Sequence, residues 1–338
     1  MQSNRHWRRL GGLQQLIFQV VWPLTARLPK SIGVRIASWI GLGLYALDMD
    51  WRSIALRHHY VKDKTLKAAK MLLPESSDTL THSVAKSRFK AACVEELQGH
   101  WIAYDHLGDV ELVIENKETF DAICDKRLGA CLLTFHFDST LLGVSLLGRA
   151  GLATNLMTSN VVEHPSVSAC VQTYFKNKYA GIDRYLNGGT AAYVETHLRR
   201  FYADVKAGLS IVILGEAPAS KVQEATPITF ANQRLAFAPG FMRIAEKTRA
   251  PIAAFVCIRD GAKKYRVIFT PLYAYSDATG HTDNVQALYS FLEAQIRQRP
   301  GRWWAADQLP NFLTVAHDGN ESDGYQVTSG QSRDTCDS

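Results

Sequence analysis

Two apolar runs, each emptying abruptly into ionisable residues, constrain this chain more than any other feature. The first is Gly129-Ala130-Cys131-Leu132-Leu133-Thr134-Phe135, followed at once by His136-Phe137-Asp138-Ser139-Thr140. The second covers residues 209–214 and ends at Gly215-Glu216-Ala217-Pro218. An apolar run without alternation reads as a strand buried on both faces, as in a parallel sheet covered by helices. The carboxyl ends of such strands open into the crevice where α/β proteins hold ligands, so His136 and Glu216 are candidate site residues. A solitary histidine in such a place is ordinarily a satisfied structural group. With Asp138, Ser139 and Thr140 beside it, the cluster reads as one able to move protons.

The remaining pattern alternates strands with helices. Residues 51–108 are helical in pattern, with an exposed turn at Pro74-Glu75-Ser76-Ser77-Asp78 and a long amphipathic segment over 80–100. Strands are expected at 110–114, 130–137, 153–157, 209–214, 225–230, 252–257 and 265–271, with helices at 117–124, 141–150, 166–179, 190–207, 239–247 and 284–298. Asp260-Gly261 marks a hairpin turn. This order predicts an α/β fold, a three-layer sandwich with a mostly parallel central sheet spanning residues 51–317. Residues 318–338 are poor in apolar side chains and read as a disordered tail.

The first 50 residues are of another kind. Arg5, His6, Arg8 and Arg9 precede an uncharged stretch over 10–26 that is interrupted by Gln14, Gln15, Gln19 and Pro23, without the small-residue cleavage site of a signal peptide. A second uncharged stretch, 36–47, is shorter than the about 20 apolar residues a membrane span needs. Basic residues and Trp7, Trp22 and Trp39 punctuate both, which suits amphipathic helices lying on a membrane surface; a pair of core helices is the competing reading. The excess of 38 basic over 32 acidic residues, +6 overall, is compatible with such an anionic surface or with an acidic ligand. No basic run interleaved with aromatics and no zinc-finger spacing occurs, which argues against a nucleic-acid partner. The six cysteines are scattered without a Cys-x-x-Cys pair, so they read as reduced packing residues of a protein on the cytoplasmic side, with no metal centre.

The order of these pieces resembles the lysophospholipid acyltransferase-like superfamily, and within it the bacterial lipid A lauroyl and myristoyl acyltransferases, over roughly residues 10–315. The likeness rests on the strand ending in His136-Phe137, the strand ending near Glu216, the segment Pro227-Ile228-Thr229-Phe230-Ala231 leading through 240–249 to Ala250-Pro251-Ile252, and a closing Pro-x-x-Trp motif within Pro300-Gly301-Arg302-Trp303-Trp304. The resemblance implies a peripheral enzyme of lipid or lipopolysaccharide biosynthesis on the cytoplasmic face of a bacterial inner membrane. It would move a fatty acyl group from an acyl carrier protein or coenzyme A thioester to a hydroxyl or amine of a membrane lipid or lipid-like acceptor. His136 would be the general base. No cofactor is implied, because the thioester already carries the activation.

Two positions depart from the family pattern. The family's histidine is followed five residues later by Asp or Glu, whereas here that position is Leu141. Asp138 could replace the missing carboxylate by sequence proximity and ranks first; Glu216 could approach from the neighbouring strand; or the mechanism is lost. A helix cap is the competing role for Asp138. Gln308 stands four after Trp304, where the family usually carries an arginine able to pair with phosphate. Ser139, with backbone N–H groups at the helix start, would stabilise the oxyanion. Ser139, Thr140 and Arg234 are the candidate substrate contacts, and the apolar residues of 141–147 either line an acyl channel or are core. The rival functions are a non-catalytic lipid or acyl-carrier binding protein and, less favoured without a Gly-x-Ser-x-Gly elbow, a hydrolase using Ser139.

Overall fold

In the computed structural model, residues 2–125, 127–275 and 279–315 are described; the expected tail at 318–338 and Cys336 lie outside them. The strands are β1 (Glu111–Glu115), β2 (Cys131–Thr134), β3 (Thr154–Thr158), β4 (Ala191–Tyr193), β5 (Ser210–Leu214), β6 (Thr226–Phe230), β7 (Gln233–Phe237), β8 (Ile252–Arg259) and β9 (Lys264–Phe269). Seven of them form one sheet in the order β1-β9-β8-β2-β5-β3-β4, and β6 and β7 make a separate hairpin. Every neighbouring pair in the large sheet is parallel except β8 and β9, whose antiparallel pairing closes around Asp260-Gly261. β2 and β5, the two apolar runs, lie side by side at the centre.

Alternation along β2 shows why residues 131–133 are apolar throughout. Leu132 packs into a core shared with Phe89, Leu97, Val144 and Phe255, while Cys131 and Leu133 pack into a second core with Phe201, Ile244 and Leu288. Both faces are therefore covered by helices, and a polar side chain on either would be stranded. The helix Thr140–Arg149, which starts beside the end of β2, sits hard on β8: a Cβ on Gly143 would fall 2.4 Å from the Cβ of Cys257.

Ahead of this domain come the helices Gln2–Leu16 and Lys30–Leu47, joined through a π-helical stretch, Ile17–Val21, and a short turn, Trp22–Thr25. The second lies against the long helix Asp78–Ala103, closely enough that a Cβ on Gly41 would meet the backbone of Lys90 at 2.7 Å. Phe18, Trp22, Ala37 and Tyr45 belong to the same core as Leu132, while Leu16, Val20, Leu24, Leu28, Ile32 and Trp39 point outward. The stretch Lys30–Leu56 is long and apolar enough, by length and composition, to cross a membrane. It is broken in the structure at Asp48, whose φ of 45° ends the helix.

Three elements differ from expectation. The ladder of β2 stops at Thr134 rather than 137, β4 occupies the start of the helix expected at 190, and β7 was not anticipated. β7 follows a two-residue turn in which Ala231 and Asn232 both take positive φ, 52° and 60°. Ala is a poor signal for that conformation, so the hairpin is masked in the sequence.

Candidate active site

The parallel register of β2 and β5 builds the site. Cys131 pairs with Ile211 and Thr134 with Leu214, and the same offset carried two residues past the ladder sets His136 beside Glu216. His136 Nδ1 and Glu216 Oε1 are 3.0 Å apart. The same oxygen also accepts from the backbone N–H of His136 and from Trp303 Nε1 at 3.3 Å. Three converging donors fix the carboxylate, which is almost wholly buried, with a side-chain exposure of 4%. Its Oε2 is buried and has no hydrogen-bond partner among the described residues. His136 is 29% exposed, and its Nε2 has no hydrogen-bond partner among the described residues. A carboxylate on Nδ1 holds the proton there, leaving the Nε2 lone pair facing outward as an acceptor.

The opposite wall comes from the far end of the chain. Phe137 bridges Trp303 in antiparallel fashion, Asp138 N–H donates to Arg302 O at 2.8 Å, and Trp304 N–H donates to His136 O at 3.0 Å. Side chains alternate across such a pairing, so His136 faces Trp304 and Asp138 faces Arg302, while Phe137 and Trp303 turn into the core. The His136 and Trp304 rings meet edge-on with centroids 4.4 Å apart. Behind them Tyr289 donates to Gly215 O at 3.1 Å, and burial, reinforced by Glu216, raises its pKa.

The carboxylate on the imidazole is Glu216; Asp138, the first-ranked candidate, turns elsewhere. Asp138 sits at φ 50°, a left-handed conformation that Asp tolerates better than most residues. Its oxygens meet Arg302 Nη1 at 3.1 and 3.2 Å and accept from Arg259 N–H at 3.1 Å and from Ser139 Oγ at 3.3 Å. Nor does it cap the following helix, where Ser139 holds the cap position with no side-chain cap bond.

Ser139 and Thr140 are likewise turned inward, both fully buried. Ser139 Oγ accepts from Gln98 Nε2 at 2.9 Å, and Ser139 N–H donates to Cys257 O, so neither is free for an oxyanion. Thr140 Oγ1 lies against the carbonyls of Phe135 and Phe137 and accepts from Phe137 N–H at 3.1 Å, which holds the turn rather than a ligand. Arg234 lies on β7 opposite Thr229, and its backbone carbonyl accepts from Val315 N–H. Leu141 is buried within the first core. Arg302, Arg259 and Trp303 were missed by sequence reasoning; only the closing Pro-x-x-Trp motif pointed to that segment. Among the described residues, no three His, Cys, Asp or Glu side chains gather closely enough to hold a metal ion.

The family model for bacterial lipid A biosynthesis acyltransferases matches residues 20–308. The chain belongs to that family. It is therefore an acyltransferase, and family membership assigns it to acyl transfer in lipid biosynthesis. No curated protein matches this acyltransferase at a significant level. Among solved structures, it is similar to the 1-acyl-sn-glycerophosphate acyltransferase PlsC of Thermotoga maritima. That match has 13% identity and a TM-score of 0.34, and covers 79% of this chain and 98% of that one.

Proposed function

We propose that this acyltransferase moves a fatty acyl group from a thioester, on acyl carrier protein or coenzyme A, to a hydroxyl or amine of a lipid-like acceptor, with His136 as general base and Glu216 as its partner. The observation that carries the reading is the His136–Glu216 pair: a buried carboxylate on Nδ1 at 3.0 Å and an open Nε2 on a partly exposed ring. Nε2 would take the proton of the attacking hydroxyl or amine, and Glu216 would stabilise the imidazolium as it forms. The attack builds a tetrahedral intermediate at the thioester carbon. Its collapse expels the thiolate, which recovers the proton from Nε2. Glu216 thus stands in for the acidic residue that Leu141 lacks.

The outer face of the N-terminal helices supports docking at the cytoplasmic face of an inner membrane. Leu16, Val20, Leu24, Leu28 and Trp39 are exposed together, Trp39 at 76%, with Arg9, Arg27 and Arg35 among them. An apolar strip flanked by guanidinium groups suits a leaflet rich in anionic headgroups. A degenerate, purely binding protein would not need a histidine whose tautomer is fixed and whose far nitrogen is left open.

Incubation of purified protein with a radiolabelled acyl thioester and bacterial membrane lipid tests the reading. Label should pass to lipid, and His136→Ala should abolish the transfer. Transfer that continues unchanged in His136→Ala would remove the imidazole from the chemistry, and retention of the intact thioester by wild type would mark a binding protein.

A further inference from the structure

The acid–base pair leaves one feature of the site unused, a pair of arginines either side of a single carboxylate. Arg259, the last residue of β8, has its Nε sealed from solvent without a hydrogen-bond partner, and its side chain makes no contact ion pair among the described residues. Only its backbone N–H reaches Asp138. Burial pushes the Arg259 pKa below its ordinary value against the opposing pull of Asp138, and Arg302 nearby lowers it further. A half-buried guanidinium whose Nε has no acceptor among the described residues, and whose neighbouring carboxylate is already held by Arg302, is costly, and the arrangement is relieved when an anion enters. Arg302 uses Nη1 for Asp138 and remains 34% exposed, so the rest of its fork is available. Two positive groups and one carboxylate leave one positive charge in excess.

The position of the pair says what it could hold. Arg302 stands opposite Asp138 in the same antiparallel pairing that sets Trp304 opposite His136. Residues two apart on one face of an extended strand are separated by roughly 7 Å. An anion on Arg302 and Arg259 therefore lies within a few bonds of a group at His136 Nε2. Guanidinium forks match the tetrahedral oxygens of phosphate, which accept two parallel hydrogen bonds.

We propose that Arg259 and Arg302, aligned by Asp138, form a subsite for a phosphate group carried by one of the two substrates. The proposal rests on the acyl-transfer reading of His136. It supplies from two other elements the cationic contact that Gln308 does not. The phosphate is either that of the acceptor or that of the pantetheine arm of the donor; the recognising chemistry is the same.

Calorimetry on the full-length protein distinguishes the sources with matched probes: 4′-phosphopantetheine against pantetheine, and glycerol 3-phosphate against glycerol. In at least one pair the phosphorylated member should bind tenfold or more tightly, inorganic phosphate should compete with it, and the pair showing the advantage names the source. Arg259→Gln should reduce the advantage to less than threefold. Arg259→Lys should keep part of it, and Arg243→Gln, on an exposed helix face, should keep all of it. If circular dichroism shows that Arg259→Gln does not fold, Arg302→Gln carries the same expectation. No phosphate advantage in either pair, or an advantage that survives in the folded glutamine variant, would overturn the subsite. His136→Ala should bind the phosphorylated probe as wild type does, so that loss of transfer and loss of this subsite are separate results.

Discussion

Replacing Glu216 by Gln isolates the charge on the imidazole from everything else the side chain does. Gln keeps the size and an acceptor oxygen for the three donors that converge on Oε1, the His136 backbone N–H, His136 Nδ1 and Trp303 Nε1. Folding should therefore be little affected, with a fall in Tm of no more than about 3 °C. What disappears is the attraction between a carboxylate and the imidazolium formed during transfer. With charge centres about 4 Å apart and an effective dielectric near 20, that attraction is about 4 kcal/mol. The ring's partial exposure screens part of it, so about 3–4 kcal/mol is expected, or a fall in kcat of roughly 10²–10³-fold. The interaction strengthens only as the proton arrives, so KM should stay within about threefold of wild type. Steady-state transfer from a radiolabelled acyl thioester, with a thermal melt on the same samples, reads both numbers. A folded Glu216→Gln enzyme whose kcat lies within threefold of wild type would refute the partnership.

Restoring the family's acidic residue should do harm: Leu141→Asp buries an unpaired carboxylate in the first core, and the variant should lose several kcal/mol in a urea titration with no gain in transfer rate. Asp307→Ala should cost about 3–5 kcal/mol by the same measurement, because this fully buried carboxylate holds Arg88 and Arg52, both at 3.0 Å, and ties the closing segment to the helices before the sheet. Glu96 is pushed up to about 8 by burial and then by neighbouring Glu95, while Trp22 Nε1 donates to it at 3.1 Å. Its protonated form is the one the fold favours, so its contribution is complete below the ordinary carboxylate range and is lost as pH rises toward 8. Glu96→Gln should thus match wild type near pH 4.5 and exceed it by up to a few kcal/mol at pH 9 in denaturant melts, and parallel pH profiles of the two proteins would remove the assignment.

Much of the scaffold was legible because local pattern and global burial agree. Residues 130–133 and 211–214 are apolar at every position, and only strands covered on both faces require that. Asp260-Gly261 announced the one antiparallel connection in the large sheet. The site was harder because its contacts are non-local. Sequence proximity favoured Asp138, yet a positive φ turns that residue toward Arg302, 164 positions away. Glu216 reaches the imidazole through strand order and register, which no single segment encodes. Ser139 and Thr140 looked reactive by composition, but hydroxyls beside a strand end also serve to satisfy buried groups: Thr140 holds the turn's own backbone, and Ser139 bonds the side chains of Gln98 and Asp138. The arginine at the end of β8 carried no signal, since one Arg before a hairpin turn resembles any solvated charge.

The bridging of Phe137 to Trp303 has a consequence for how the enzyme is born. Ribosomes release chains at about 5–20 residues per second, so the segment that walls in the imidazole emerges roughly ten to thirty seconds after His136 itself. For the second half of that interval the nascent polypeptide has Glu216 but not the indoles of Trp303 and Trp304, and the backbone of 136–138 has an open edge. The wall around the imidazole is thus the last part of the site to be made, and it is complete only once this final strand-like piece has docked.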